Sequence, residues 1–122
     1  MNVFIVDDSE VVQSGLESML SEIGDVHVTG RAKDVRGAVD EIRRLQPDCV
    51  ILDIRLLNGS GIDVLREIKK TEPSPTVLVL TNYPYPHYRE KCLALGAEYF
   101  LDKVTEIDRV QRIIKSLKAG TS

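Results

Sequence analysis

The chain has 122 residues, of which 43% are hydrophobic and 29% charged, and its formal net charge is −3. That is the size and balance of one globular domain with a core of its own, which excludes a disordered chain. The mild negative charge leaves no footprint for nucleic acid or an anionic membrane, and no apolar run approaches transmembrane length. Met1-Asn2-Val3 leads straight into a strand pattern with no signal peptide. Cys49 and Cys92 lie far apart in apolar patterns and read as reduced, buried thiols of a cytoplasmic protein; a disulfide is the lesser alternative. His27 and His87 lack metal-ligand spacing, which argues against zinc.

Val3-Phe4-Ile5-Val6 is an apolar run that stops at Asp7-Asp8, a buried strand. Ser9 or Asp8 can cap the helix that follows, with Val11, Val12, Leu16, Met19, Leu20 and Ile23 as its apolar face. Gly24 is expected to end it in the left-handed conformation. Val26-His27-Val28 alternates, as a strand with one wet face near a sheet edge does. Val35, Ala38, Val39, Ile42 and Leu45 mark a second helix, ended by Pro47.

Cys49-Val50-Ile51-Leu52 is wholly apolar and stops at Asp53. Gly59-Ser60-Gly61 then opens a helix with Ile62, Leu65 and Ile68 inward. A turn at Glu72–Pro75 precedes Val77-Leu78-Val79-Leu80, which ends in Thr81. The aromatic loop from Asn82 to Tyr88 follows, with Pro86 in the first turn of a helix carrying Tyr88, Cys92 and Leu95 inward. Glu98–Leu101 is the last strand, stopping at Asp102-Lys103. A final helix buries Ile107, Val110, Ile113, Ile114 and Leu117, and residues 119–122 trail off as a tail or the start of a linker. There is no internal repeat.

Strands alternating with helices five times predict a parallel sheet covered on both faces. In such sheets ligands bind at the carboxyl ends of the strands. Asp7, Asp8, Asp53, Thr81 and Lys103 all stand at such ends. Singly, each has a plain explanation: a helix cap, a surface lysine, a β-prone threonine. Jointly, they point to chemistry. Three crowded carboxylates favour a hard cation such as Mg²⁺, and a lysine and a hydroxyl suit phosphate. Cation, lysine, hydroxyl and carboxylate nucleophile are the parts that phosphoryl transfer needs.

The ordered set resembles the receiver domain of bacterial response regulators over nearly the whole chain. Asp7-Asp8, Pro47-Asp48-Cys49-Val50-Ile51-Leu52-Asp53, Gly59-Ser60-Gly61, Leu80-Thr81, Gly96-Ala97 and Lys103 carry the resemblance. Gly15-Leu16 and Leu52-Asp53-Ile54-Arg55-Leu56 are similar to the NarL/LuxR class. The resemblance implies a flavodoxin-like (βα)5 three-layer sandwich with strand order 2-1-3-4-5, spanning residues 1–118. It implies that Asp53 accepts a phosphoryl group from a sensor histidine kinase in a two-component phosphorelay. Asp7, Asp8, Asp53 and the main-chain carbonyl of Arg55 would hold Mg²⁺. Lys103 would contact the phosphoryl oxygens, and Thr81 and Phe100 would switch, Phe100 turning inward. Partners would be the kinase and either a C-terminal DNA-binding output domain for transcription regulation or a separate protein target, with a homodimer forming on activation. Nucleic acid would not be bound directly. The domain would be a self-phosphorylating, slowly autodephosphorylating switch rather than an enzyme.

Three alternatives stay open: a degenerate receiver that works without phosphorylation, a haloacid-dehalogenase-type Mg²⁺ phosphatase, and a flavin or nucleotide module. The phosphatase would want a second Asp at Arg55, and the nucleotide module a glycine loop where Asp8-Ser9-Glu10 stands. Leu57 stands where the family usually has proline, so the loop after Asp53 is expected to be less rigid; Val104 stands where proline commonly follows the lysine, so the often-cis bond that shapes that loop cannot form. Arg55, Asn82 and Tyr83 are expected to crowd Asp53 and slow water attack. The Tyr83–Tyr88 loop suits a partner surface or a self-packed cluster equally.

Overall fold

The computed structural model describes residues 1–120. Five parallel strands form the main sheet: β1 (Asn2–Val6), β2 (His27–Ala32), β3 (Cys49–Leu52), β6 (Thr76–Thr81) and β7 (Tyr99–Asp102). Two short strands, β4 (Arg55–Leu56) and β5 (Gly59–Ser60), pair antiparallel just after β3. The sheet order is β2-β1-β3-β6-β7, which is the expected order once that small pair is set aside. The helices are α1 (Glu10–Ser21), α2 (Val35–Leu45), α3 (Gly61–Ile68), α4 (Pro86–Ala94) and α5 (Ile107–Gly120).

Strand alternation builds two cores, one on each sheet face. Phe4, Val6, Val50, Leu52, Val77 and Val79 face α2, α3 and α4. Val3, Ile5, Cys49, Ile51, Leu78 and Leu80 face α1 and α5. Side chains on both faces are buried, which is why β1, β3 and β6 read as unbroken apolar runs. β2 alternates exposed and half-buried residues at the sheet edge, and it is longer than the three residues expected.

Several local expectations need correction. Val11 is 84% exposed, because the buried face of α1 is Gln13, Leu16 and Leu20. At 100° per residue Val11 lies nearly opposite Gln13. The left-handed residue after α1 is Asp25 (φ 63°), not Gly24. Ser9, not Asp8, caps α1, its hydroxyl accepting from the Val12 N–H. Pro86 does open α4. Ala119 and Gly120, expected in the tail, continue α5, and 121–122 lie outside the described residues. Both cysteines are free and buried. No helix among the described residues is long and apolar enough to cross a membrane.

Candidate functional site

The site forms where β1, β3, β6 and β7 end. Backbone bonds set those ends: Asp7 N–H donates to the Ala32 carbonyl at 3.1 Å, Asp53 N–H to Val6 at 2.9 Å, and Lys103 N–H to Thr81 at 2.8 Å. Asp7, Asp53 and Lys103 are therefore held in register before their side chains meet.

Their side chains then make one cluster. Lys103 Nζ donates to Asp7 Oδ2 at 2.7 Å and to Asp53 Oδ2 at 2.8 Å. The other oxygen of each carboxylate accepts from a local amide: Asp7 Oδ1 from Ser9 N–H at 2.9 Å, Asp53 Oδ1 from Ile54 N–H at 2.7 Å. Asp7, Asp53 and Lys103 side chains are only 3%, 6% and 10% exposed. Burial works against the Lys103 ammonium, but the bonds and charges of Asp53 and Asp7 outweigh it and raise its pKa. The Lys103 ammonium is thus kept charged in spite of its burial.

Asp8 is exposed beside them, and one carboxylate oxygen each from Asp7, Asp8 and Asp53 lie within 4.8 Å of one another. An all-oxygen set suits a hard divalent cation, and an ionised carboxylate keeps lone pairs free beyond one amide and one ammonium. The residues fit Mg²⁺. Thr81 is fully buried, and its hydroxyl accepts from the Tyr83 N–H at 3.0 Å. Phe100 is already inward, 7% exposed in the α2–α4 core, with the Arg89 guanidinium 5.9 Å from its ring.

The loops around the cluster differ from expectation. Leu57 N–H donates to the Lys33 carbonyl at 3.1 Å, so the loop after Asp53 is tied to the loop after β2. Proline could not make that bond. Gly61 is required on steric grounds: a Cβ there would lie 1.9 Å from the Asp53 carbonyl oxygen. Arg55 is exposed, with its guanidinium 4.2 Å from the centre of the Tyr83 ring, so these two side chains pair near the site. Tyr85 stacks with His87 at 5.9 Å and lies 6.0 Å from Tyr88, so the aromatic loop packs largely on itself while Tyr85 stays 52% exposed.

Gln13 was missed from the sequence. Its side-chain amide donates to the Asp7 carbonyl at 2.7 Å and the Ala32 carbonyl at 3.1 Å, pinning the strand end that carries Asp7. A polar residue at a core position of α1, three before Leu16, was the available signal.

Known proteins agree with this geometry. The profile of the family "Response regulator receiver domain" matches residues 3–115. The chain is 32% identical over 122 residues to the DNA-binding transcriptional activator DevR/DosR of Mycobacterium tuberculosis, covering all of this chain and 56% of that protein. It is also 32% identical, over 120 residues, to a protein-glutamate methylesterase/protein-glutamine glutaminase of Methanospirillum hungatei, covering 97% of this chain and 35% of that protein. The chain therefore spans about half or less of these relatives' length. The isolated REC domain of RcsB from Salmonella enterica serovar Typhimurium, solved with phosphomimetic BeF3-, superimposes with a TM-score of 0.88 at 28% identity, covering 98% of this chain and 89% of that one. LuxR-family response regulators share the fold. The chain belongs to the response-regulator receiver domain family, alongside receivers of the NarL/LuxR class.

Proposed function

We propose that Asp53 accepts a phosphoryl group from a sensor histidine kinase and that the domain relays this as a change of surface. The observation that carries the reading is the buried Lys103 ammonium shared between Asp7 and Asp53. A buried carboxylate beside a fixed cation is poised for a phosphoryl group, whose added negative charge and acceptor oxygens the lysine can meet. One Asp53 oxygen forms the new P–O bond as the donor's P–N bond breaks, and the freed imidazole keeps the electron pair and takes up a proton. Asp7, Asp8, Asp53 and the Arg55 carbonyl would hold Mg²⁺. When bound, that ion neutralises charge on the phosphoryl oxygens.

The Thr81 hydroxyl, now accepting from Tyr83 N–H, is the group a phosphoryl oxygen would draw away. Phe100, inward under Arg89, is its partner in the switch, and the face of α4, β7 and α5 reports the result. A coupling of ~1–3 kcal/mol suffices for such a bias. The receiver domain includes residues 1–118, acts in the cytoplasm, and serves as a switch rather than an enzyme. A following DNA-binding region, or a separate target, supplies the output, with dimerisation on activation.

Support for the relay comes from the family and from an intact acidic set. The degenerate-receiver alternative would not require that set. The position two after Asp53 is an exposed Arg55 rather than an acid, which disfavours the phosphatase. The test is a small-molecule phosphodonor with Mg²⁺, read by intact mass. One phosphoryl addition is expected on the native chain and none on Asp53→Asn; no addition under any donor sinks the reading.

A further inference from the structure

Lys103 must hold its ammonium between two carboxylates, yet a lysine side chain is a flexible stem. Its backbone has to aim it. That backbone lies in a five-residue turn, Asp102 to Glu106, between β7 and α5, and the turn is closed twice. Glu106 N–H donates to the Asp102 carbonyl at 2.8 Å, and Glu106 Oε1 accepts from Asp102 N–H at 3.0 Å. Inside the turn, Asp102 Oδ1 accepts from the Val104 N–H at 2.9 Å, and the Lys103 N–H is held by the Thr81 carbonyl. Proline at 104 could not supply that Val104 amide. Arg109 holds the second oxygen of Glu106 at 2.5 Å. The Asp102 amide first, and Arg109 next, keep the Glu106 carboxyl below its ordinary pKa, so it is ionised at neutral pH.

We propose that Glu106 is a positioning residue for phosphoryl transfer: by closing the Asp102–Glu106 turn it sets where Lys103 delivers its ammonium. This rests on the phosphoacceptor reading of Asp53, and it goes further by giving a half-buried carboxylate, outside the acidic cluster, a part in the rate. Glu106 acts only through the turn. Its effect must therefore vanish when Lys103 is absent, whereas damage to the fold at large would persist.

The experiment follows phosphorylation of the full chain by acetyl phosphate with Mg²⁺, by intact mass against time, for native protein and for Glu106→Ala, Glu106→Asp, Glu106→Gln, Lys103→Ala and Lys103→Ala/Glu106→Ala. Thermal melts accompany each. Glu106→Ala and Glu106→Asp are expected to slow labelling about tenfold or more, because small misplacements of a reacting group are costly. Aspartate keeps the charge but falls a methylene short of the Asp102 amide. Glu106→Gln retains an oxygen acceptor of the right length and is expected to label near the native rate. Exchange of the Asp102 amide with solvent quickens in the first two variants and not in the third. In the Lys103→Ala background, Glu106→Ala should add nothing.

Native-rate labelling by Glu106→Ala and Glu106→Asp, with Lys103→Ala slow, overturns the proposal and leaves the phosphoacceptor reading standing. A further slowing of the double variant beyond Lys103→Ala also overturns it, since the effect would then bypass the lysine. Native-rate labelling by Lys103→Ala removes the lysine's part and the proposal with it. If Glu106→Ala melts below the assay temperature, the aspartate and glutamine variants decide between these outcomes.

Discussion

Helices α3 and α4 each follow a strand that ends in the site, and they are held very differently. α3 follows Asp53. Of its eight residues, Gly61, Val64, Leu65 and Ile68 are buried, and the Ser60 hydroxyl caps it by accepting from Ile62 N–H at 3.1 Å. α4 follows Thr81. Of its nine residues only Cys92 is buried, and Tyr85 at its start makes no side-chain cap. Few buried contacts mean a low cost of local opening. The flank that carries Asp53 is thus fixed, and the flank that carries Thr81 is where rearrangement is cheap. The proposed switch would use both, a fixed acceptor and a yielding reporter.

The contrast can be broken from its rigid side first. Gly61→Ala drives a Cβ into the Asp53 carbonyl oxygen, which α3's anchoring prevents from moving away. A loss of ~3 kcal/mol or more in a denaturant titration is expected; a cost below ~1 kcal/mol would mean this flank yields after all. Next come matched truncations. Leu65→Ala on α3 should cost ~2–5 kcal/mol, and Leu93→Ala on α4, 39% exposed, within ~0.5 kcal/mol. Equal costs would erase the difference between the helices.

The pair that spans the two flanks gives a smaller effect. Arg55 leaves the Asp53 side and Tyr83 the Thr81 side, and they meet by cation–π contact. If they shield the phosphorylated aspartate, Arg55→Ala and Tyr83→Ala should each quicken dephosphorylation about two- to fivefold, the equivalent of ~0.5–1 kcal/mol. Asn82→Ala, at the exposed position just before Tyr83, should do less. Rates unchanged across the series would remove the shield.

The thiols offer the mildest probe. Burial raises Cys49 from 9.0 to about 12 and Cys92 to about 11. Above pH 9 the folded chain keeps protons that the unfolded chain has lost, so stability falls as pH rises, by at most ~1.4 kcal/mol per pH unit per thiol, and is untouched by these groups at neutral pH. Alkylation of the native protein should reach Cys92, on the lightly held α4, well before Cys49 in the central sheet. Peptide mass mapping that finds the reverse order would contradict a loose α4.

What could be read from the sequence follows from where information is local. Asp7, Asp53, Thr81 and Lys103 were legible because each ends an apolar run, and one sheet brings run-ends together. Gln13 was not, because its two acceptors belong to residues brought near only by the β1–β2 pairing. Val11 was placed inward because its apolar character outweighed its angle on the helix. In the sequence Leu57 reads as a loss of stiffness and Val104 as the loss of an often-cis proline bond. Each instead supplies an amide hydrogen bond, to Lys33 and to Asp102, and those partners are visible only in three dimensions. The Asp102–Glu106 turn had a local trace, an acid at each end of a five-residue step before a helix, resembling a capping pattern.

The bond from Lys103 to Asp7 joins residues 96 apart in the chain, and the one to Asp53 joins residues 50 apart. On a ribosome, the acidic pair emerges long before its cation does. A nascent or truncated chain ending short of residue 103 carries the proposed acceptor without the lysine that completes its site. On the proposed reading, competence to accept a phosphoryl group is thereby deferred until residue 103 has been made, and a fragment cut before β7 would hold the acceptor without its cation.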